Sequence, residues 1–461
     1  MKKQAKKLDE DHPIIAKKIN KSLNYSISEG SFSSASSSLG PSYFTPFALA
    51  VNATSSQIGV LNALISLIPP LIQIKTSKWF GNFSRKRVVW ISVLLQTLMF
   101  LPLIAAGLLF IYGYTNISWI VLGLITLFYI VSAPTYPPWF SWMGSLVNEG
   151  ERGKYFAKRN RINSFVGVIF MILGAVLLDK FRTAGIVLIG FSILFTIAFL
   201  ARIICLRLLS KQYEPRLNVM KRNYFSFNSF MKNLKETPLG RFTIFTSTFR
   251  IAINIASPFF AVYLLKTLGL SYVWFMAITV STIIFQLIFY PLMGKASDKF
   301  GNIAIIKFSA LFVALTPLTW IISKNPYYLA TVASFVAGLG WAGFNLTASN
   351  YIYDSLKQDQ RSFGVSYANL LNGIGLFIGA GIGSILVFSN LPIMSGLLSL
   401  FFISGIARLG VLLYFKNFLK EVRHVKTFSP QYMVREFRPA QGVVREIHKL
   451  NHLKSEIQHY I

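Results

Sequence analysis

The chain is poor in charge, in acids and in cysteine. Of its 461 residues only 13% are charged, about half the share found in soluble domains, which argues against an ordinary globular enzyme. A single cysteine, Cys205, excludes an intrachain disulfide. The five histidines, His12, His424, His448, His452 and His459, all fall in the tails, so there is no buried histidine relay. His448 and His452 stand without nearby thiols, and no metal site is expected. No G-x-x-x-x-G-K-[ST] loop occurs, which leaves no nucleotide site to drive a pump; no cofactor is expected. Charge is missing altogether from Leu101 to Ser145 and from Tyr367 to Ala407. One spanning helix needs about 20 apolar residues, and 53% of this chain is apolar. These features describe an all-α membrane protein with many crossings.

Apolar runs broken by Gly, Pro, Asn and charge give twelve segments, near 22–51, 57–76, 88–112, 118–147, 162–178, 184–206, 242–265, 272–293, 304–323, 327–353, 363–388 and 392–415. The first is too long and too polar for a cleaved signal peptide. The domains expected are a tail over 1–21, a six-helix bundle over 22–206, a central loop over 207–241, a second bundle over 242–415 and a basic tail over 416–461.

Lys and Arg outnumber Asp and Glu by 46 to 16, for a net charge of +30. Their placement makes this a signal of topology rather than of nucleic-acid binding. With both termini on one face, 38 of the 46 fall on that face and only Lys180, Arg182, Lys266 and Lys324 on the other. Positive residues stay in the cytoplasm, so both termini are expected there, in the cell membrane.

The chain also repeats itself. TSKWFGNFSRKRVV after the second segment overlays MGKASDKFGNIAII after the eighth at an offset of 217, pairing Phe83 with Phe300. A second pairing sets Arg152 against Arg361. Two parallel six-helix halves joined by a long basic loop are a known transporter plan.

The loop after segment 8 reads Gly294, Asp298, Lys299, Gly301, Asn302, and here the chain resembles the major facilitator superfamily over about residues 22–415. Those five positions match its G-x-x-x-D-[RK]-x-G-[RKN] signature. The first-half copy, with Ser77, Gly81, Asn82 and Ser84 before Arg85-Lys86-Arg87, keeps only the basic end. The resemblance implies twelve transmembrane helices in two pseudo-symmetric bundles that work by alternating access, with Asp298 as a gating residue. The drug/proton antiporter signature of helix 5 is absent: segment 5 carries Gly167 and Gly174 but no proline.

Candidate transport residues are the polar ones inside spans. Glu29 is the only acid well inside a segment. A mid-bilayer charge costs about 2.5–3.5 kcal/mol, so Glu29 is expected to face protein or water. With Ser33, Ser36 and Gly40 it forms one helix stripe, expected to line a cavity, and it is the candidate for proton coupling. Arg250 forms a stripe with Asn254 and Ser257 in segment 7, to hold an anionic group or to pair with Glu29. Arg202 and Arg408 are expected to snorkel. Further substrate-binding candidates are Tyr136, Trp139, Gln286, Asn345, Asn369 and Asn372. Gly375, Gly379 and Gly383 recur every fourth residue and permit close helix contact. The tail from Gln441 to Ile461 mixes apolar and basic residues and suits an anionic lipid surface.

The expected function is secondary active transport of a small solute by a monomer in membrane lipid, with proton-coupled efflux of amphipathic compounds ahead of uptake of a sugar or other polar metabolite. A channel and an intramembrane enzyme are the competing classes; clustered catalytic groups are missing, so no enzyme activity is expected.

Overall fold

A computed structural model describes residues 13–79, 84–114, 116–147, 152–215, 226–356, 361–388 and 396–428. The described residues are helical, with no strand among them. The main rods are α1 (Pro13–Leu39), α2 (Ser55–Trp79), α3 (Arg85–Ile111), α4 (Ile117–Leu146), α5 (Arg152–Thr183) and α6 (Val187–Ser210). They continue with α7 (Pro238–Thr267), α8 (Tyr272–Phe300), α9 (Asn302–Ile322), α10 (Pro326–Ile352), α11 (Arg361–Phe388) and α12 (Leu398–Tyr414). Ten of them, α2 to α11, are long and apolar enough to cross a membrane. The protein is an integral membrane protein.

Several rods outrun the apolar runs that announced them. α1 starts at Pro13 and α5 at Arg152, each about ten residues before its apolar stretch, and α8 continues to Phe300. Lys, Arg and Ser are tolerated in solvated helix ends, so loss of hydropathy does not stop a helix. What stops α8 is Gly301, whose φ of 84° suits a residue without Cβ. Starts are set by local caps: Ser84, Thr237 and Ser271 each accept a backbone N–H of the first turn. At α2 a reciprocal box joins Thr54 and Gln57, at 2.8 and 3.2 Å. α4 breaks between Ser132 and Tyr136, ahead of Pro137 and Pro138.

Within residues 13–215, α1 packs on α5 and α6, and α3 on α4 and α6. Within 226–428, α7 packs on α11 and α12, and α10 on α8 and α9. The main crossings between these groups are α2 with α11 and α5 with α8. The glycines of α11 explain its fit to α7. A Cβ on Gly375, Gly379 or Gly383 would lie 2.2–2.3 Å from the carbonyl oxygens of Ser247, Ile251 and Ile255. Backbone meets backbone there, as the fourfold spacing led us to expect.

The buried apolar clusters are arranged unequally. We call the end holding Pro13 and Tyr414 the tail end and the opposite one the far end. At the far end a single cluster runs through both groups, from Tyr43, Phe47, Phe128 and Phe191 to Phe259, Tyr272, Trp320 and Phe401. At the tail end the clusters stay apart. One holds Val93, Trp142 and Leu206; others hold Phe245, Ile306 and Phe415, or Met293, Ile305 and Leu339.

Candidate functional site

Polar chemistry reinforces the far-end closure. Asp179, at the end of α5, accepts the backbone N–H of Tyr272 at 2.7 Å and of Val273 at 2.9 Å. A carboxylate at a helix N-terminus meets unpaired donors and the positive end of the helix dipole. One turn on, the Arg182 guanidinium donates to the Leu270 carbonyl at 2.7 Å and lies over the Tyr272 ring. Phe191 meets the same ring edge-on at 5.7 Å. This clasp joins the two groups of helices.

Glu29 is buried, and its stripe turns inward rather than into a cavity. Its Oε2 accepts from Arg159 Nη2 at 3.1 Å, and Cys205 Sγ donates to Oε1 at 3.2 Å. Arg159 in turn donates to the Ser26 carbonyl and covers the Trp139 ring at 4.5 Å. Ser36 and Gly40 are buried with it. The pairing with Arg250 is therefore corrected to Arg159, a residue assigned to a loop on hydropathy although α5 extends through it. The exposed side of α1 is instead the one carrying Asn24, Ser28 and Phe32.

Snorkelling is also corrected. Arg202 is buried and donates to Ser33 Oγ and Gln96 Oε1. Arg408 is 2% exposed and donates to the carbonyls of Val313 at 2.7 Å and Ile253 at 3.1 Å. Each arginine ties its helix to two neighbours; aqueous exposure is not needed when carbonyl and amide oxygens take the donors.

Arg250 contrasts with both. It is half-buried and makes no hydrogen bond among the described residues; its Nε, like that of Arg408, is shielded from solvent without a partner. Its neighbours on the α7 stripe are already satisfied. Asn254 Nδ2 donates to the Leu376 carbonyl at 2.7 Å, Ser257 to the Ile253 carbonyl, and Thr243 and Thr246 to carbonyls of their own helix.

Among the other candidates, Asn345 and Asn369 are exposed on α10 and α11, and Asn372 accepts from Ser247 Oγ at 3.4 Å. Gln286 donates to Tyr290 Oη, one turn away on α8. Tyr136 is 63% exposed and stacks on Trp139 and Phe140. Asn345, Asn369, Asn372 and Arg250 thus occupy α7, α10 and α11, whereas Trp139 belongs with the Glu29 cluster.

The loop after α8 is held by residues the sequence reading passed over. Asn302 Nδ2 donates to Asp354 Oδ2 at 2.7 Å, and Arg423 pairs with the same oxygen at 3.2 Å. Glu421 accepts the Ile303 N–H at 2.8 Å, capping α9. Lys299 and Asp298 are exposed and Gly294 half-buried. The first half mirrors this: Glu214 accepts the Arg85 N–H at 2.8 Å and so caps α3. Both acids follow the sixth rod of their half, in Glu214-Pro215-Arg216 and Glu421-Val422-Arg423, 207 residues apart. That recurrence was a readable signal. Gly81 and Asn82, His12, His448 and His452, and the basic tail Gln441–Ile461 lie outside the described residues.

Residues 242–446 match the family model of the Major Facilitator Superfamily. Likeness of fold extends over most of the chain. A mutant form of the nucleoside transporter NupG superposes with a TM-score of 0.63 at 13% identity, over 86% of this chain and 100% of that one. A bacterial homologue of the iron transporter ferroportin, in an inward-facing state, gives 0.66 at 16% identity, over 88% and 100%. An auto-inhibited POT family peptide transporter gives 0.65 at 10%, over 89% and 98%. The second half of the chain thus matches the superfamily by sequence, and the chain shares the fold of these solved transporters. No curated protein matches it by sequence. The three solved structures are named as transporters of a nucleoside, of iron and of peptides.

Proposed function

We propose that the protein is a secondary active transporter of the cell membrane that carries a small solute by alternating access. In this reading α1 and α12 complete twelve spans, residues 22–206 and 242–415 form two six-helix bundles, and both termini lie in the cytoplasm. The observation that carries it is the unequal core: one shared cluster at the far end, separate clusters at the tail end. A carrier held between two rocking halves has this form when one gate is shut.

The solute site we assign to the polar faces between the separated ends, with Arg250, Asn345, Asn369 and Asn372 from the second half and Asn24 and Ser28 of α1 from the first. Asp298, exposed beside the α8–α9 turn, is the residue placed to make contacts when the tail ends approach. Glu29 is committed to Arg159 and joins α1 to α5; the ion pair does not favour it as the carrier of a coupling proton.

The test uses the clasp. Charged hydrogen bonds contribute about 1.5–3 kcal/mol each, so loss of the two on Asp179 shifts the gate equilibrium tenfold or more. A cysteine at Asn345, in a Cys205→Ser background, is expected to react with a membrane-impermeant thiol reagent from the tail side. Asp179→Ala should add reaction from the far side. Labelling that stays on one side in both proteins contradicts alternating access.

A further inference from the structure

We propose that the transported solute is an organic anion and that Arg250 receives its carboxylate or phosphate; this rests on the transporter reading above and names its substrate class.

The inference starts from a comparison of three membrane arginines. Arg202 and Arg408 direct their donors to side-chain and carbonyl oxygens of their own half. Arg250 shares with Arg408 a shielded Nε without a partner, but unlike Arg408 it makes no hydrogen bond through its terminal nitrogens and no ion pair among the described residues. No acid lies close enough along the chain to supply one. Between Arg241 and Ser297 there is no Asp or Glu. The acids described from residue 226 on, Glu236, Asp298, Asp354 and Glu421, sit at or beyond the tail ends of α7, α8, α10 and α12. Asp354 and Glu421 are taken up by Arg423, Asn302 and Ile303. Arg250 is twelve residues into α7, a rise of about 18 Å.

The surroundings point the same way. Viewed down α7, Ser247 and Ile251 meet α11, as the α11 glycines show. Phe249 meets Phe344 of α10 at 5.5 Å. Arg250 projects from the sector between them, on a face shared with Thr243, Thr246, Asn254 and Ser257. From Thr243 to Ser257 that face is polar, and its other members have bonded to backbone carbonyls. Exposed Asn345 and Asn369 stand on the two flanking helices. A shielded donor without a partner is costly, and a guanidinium fork answers carboxylate or phosphate geometry with two parallel hydrogen bonds. A solute that brings the missing charge recovers that cost on binding.

The experiment uses the purified full-length protein and two matched pairs of probes, benzoate with benzamide and phenyl phosphate with phenol. Binding is followed by tryptophan fluorescence and by melting temperature. At least one anion is expected to bind tenfold or more tightly than its neutral partner. Arg250→Gln should erase that preference, and Arg250→Lys should keep part of it. With no partner to orphan, Arg250→Gln should also melt no lower than the parent, whereas Arg408→Gln should melt lower. Equal binding of charged and neutral probes, a preference that survives in Arg250→Gln, or no binding by any probe overturns the proposal. So does chloride that displaces the anions and stabilises the protein equally, since the site would then hold an inorganic ion.

Proteoliposomes separate this from the transporter reading. Saturable benzamide uptake unaffected by Arg250→Gln removes the anion site and leaves the carrier. Arg250-dependent anion binding without any flux removes the carrier and leaves the site without a transported solute.

Discussion

Glu29→Ala is expected to destabilise the protein by about 3–5 kcal/mol, because it leaves Arg159 charged, buried and without its acid. The pair is made at 3.1 Å between groups 7% and 11% exposed, and Arg159 has Trp139 beneath it and the Ser26 carbonyl beside it. Removing both charges should cost much less than removing one, so Glu29→Ala with Arg159→Met should recover most of the loss. Thermal melts of the purified variants read this directly. Full additivity of the two substitutions would deny the coupling. The same site decides the proton question: pH-gradient-driven flux that survives in Glu29→Gln places coupling elsewhere, and its loss in a stably folded Glu29→Gln restores Glu29 as the carrier.

The second large effect belongs to α11. Gly379→Val would put a branched side chain where a Cβ already lies 2.2 Å from the Ile251 oxygen and 3.0 Å from Asn254 Cβ. Neither neighbour yields easily, since one is backbone and the other is anchored to Leu376. Overpacking costs about 1–3 kcal/mol where side chains can move; against a helix backbone the loss should exceed the upper figure, and size-exclusion profiles should show aggregation. Gly381 supplies the control. It lies on the same helix with nothing within 4 Å of its Cβ, so Gly381→Val should behave as the parent. Equal damage from both would show that helix propensity, not the α7–α11 contact, sets the outcome.

The parts of this molecule written in periodicity were legible from sequence. Apolar runs long enough to span, the Gly375–Gly379–Gly383 ladder, and the signature ending in Gly301 and Asn302 all encode backbone geometry or burial within one helix. Partnership between helices was not legible. Glu29 could be placed on a stripe, but which side of the stripe packs inward depends on α5 and α6, and hydropathy had cut Arg159 out of α5. Arg202 and Arg408 looked like snorkelling residues because nothing in their own helices shows that carbonyls of neighbouring helices stand ready. Asp179 sat one residue past the expected end of its span, with no pattern to mark it as the acid that caps α8. The paired acids Glu214 and Glu421 were in reach, since the same E-x-R follows the sixth rod of each half.

The most direct test of the two rocking halves is a pair of distances measured in one protein. Spin labels at Ile186 and Tyr327 report the far end, and labels at Lys158 and Lys295 the tail end; all four positions are exposed. In the Cys205→Ser parent the far pair should be mainly short and the tail pair mainly long. In Asp179→Ala the far pair should lengthen while the tail pair shortens, in matching proportion. Distances that stay fixed in both proteins, or that lengthen together at both ends, would contradict the account.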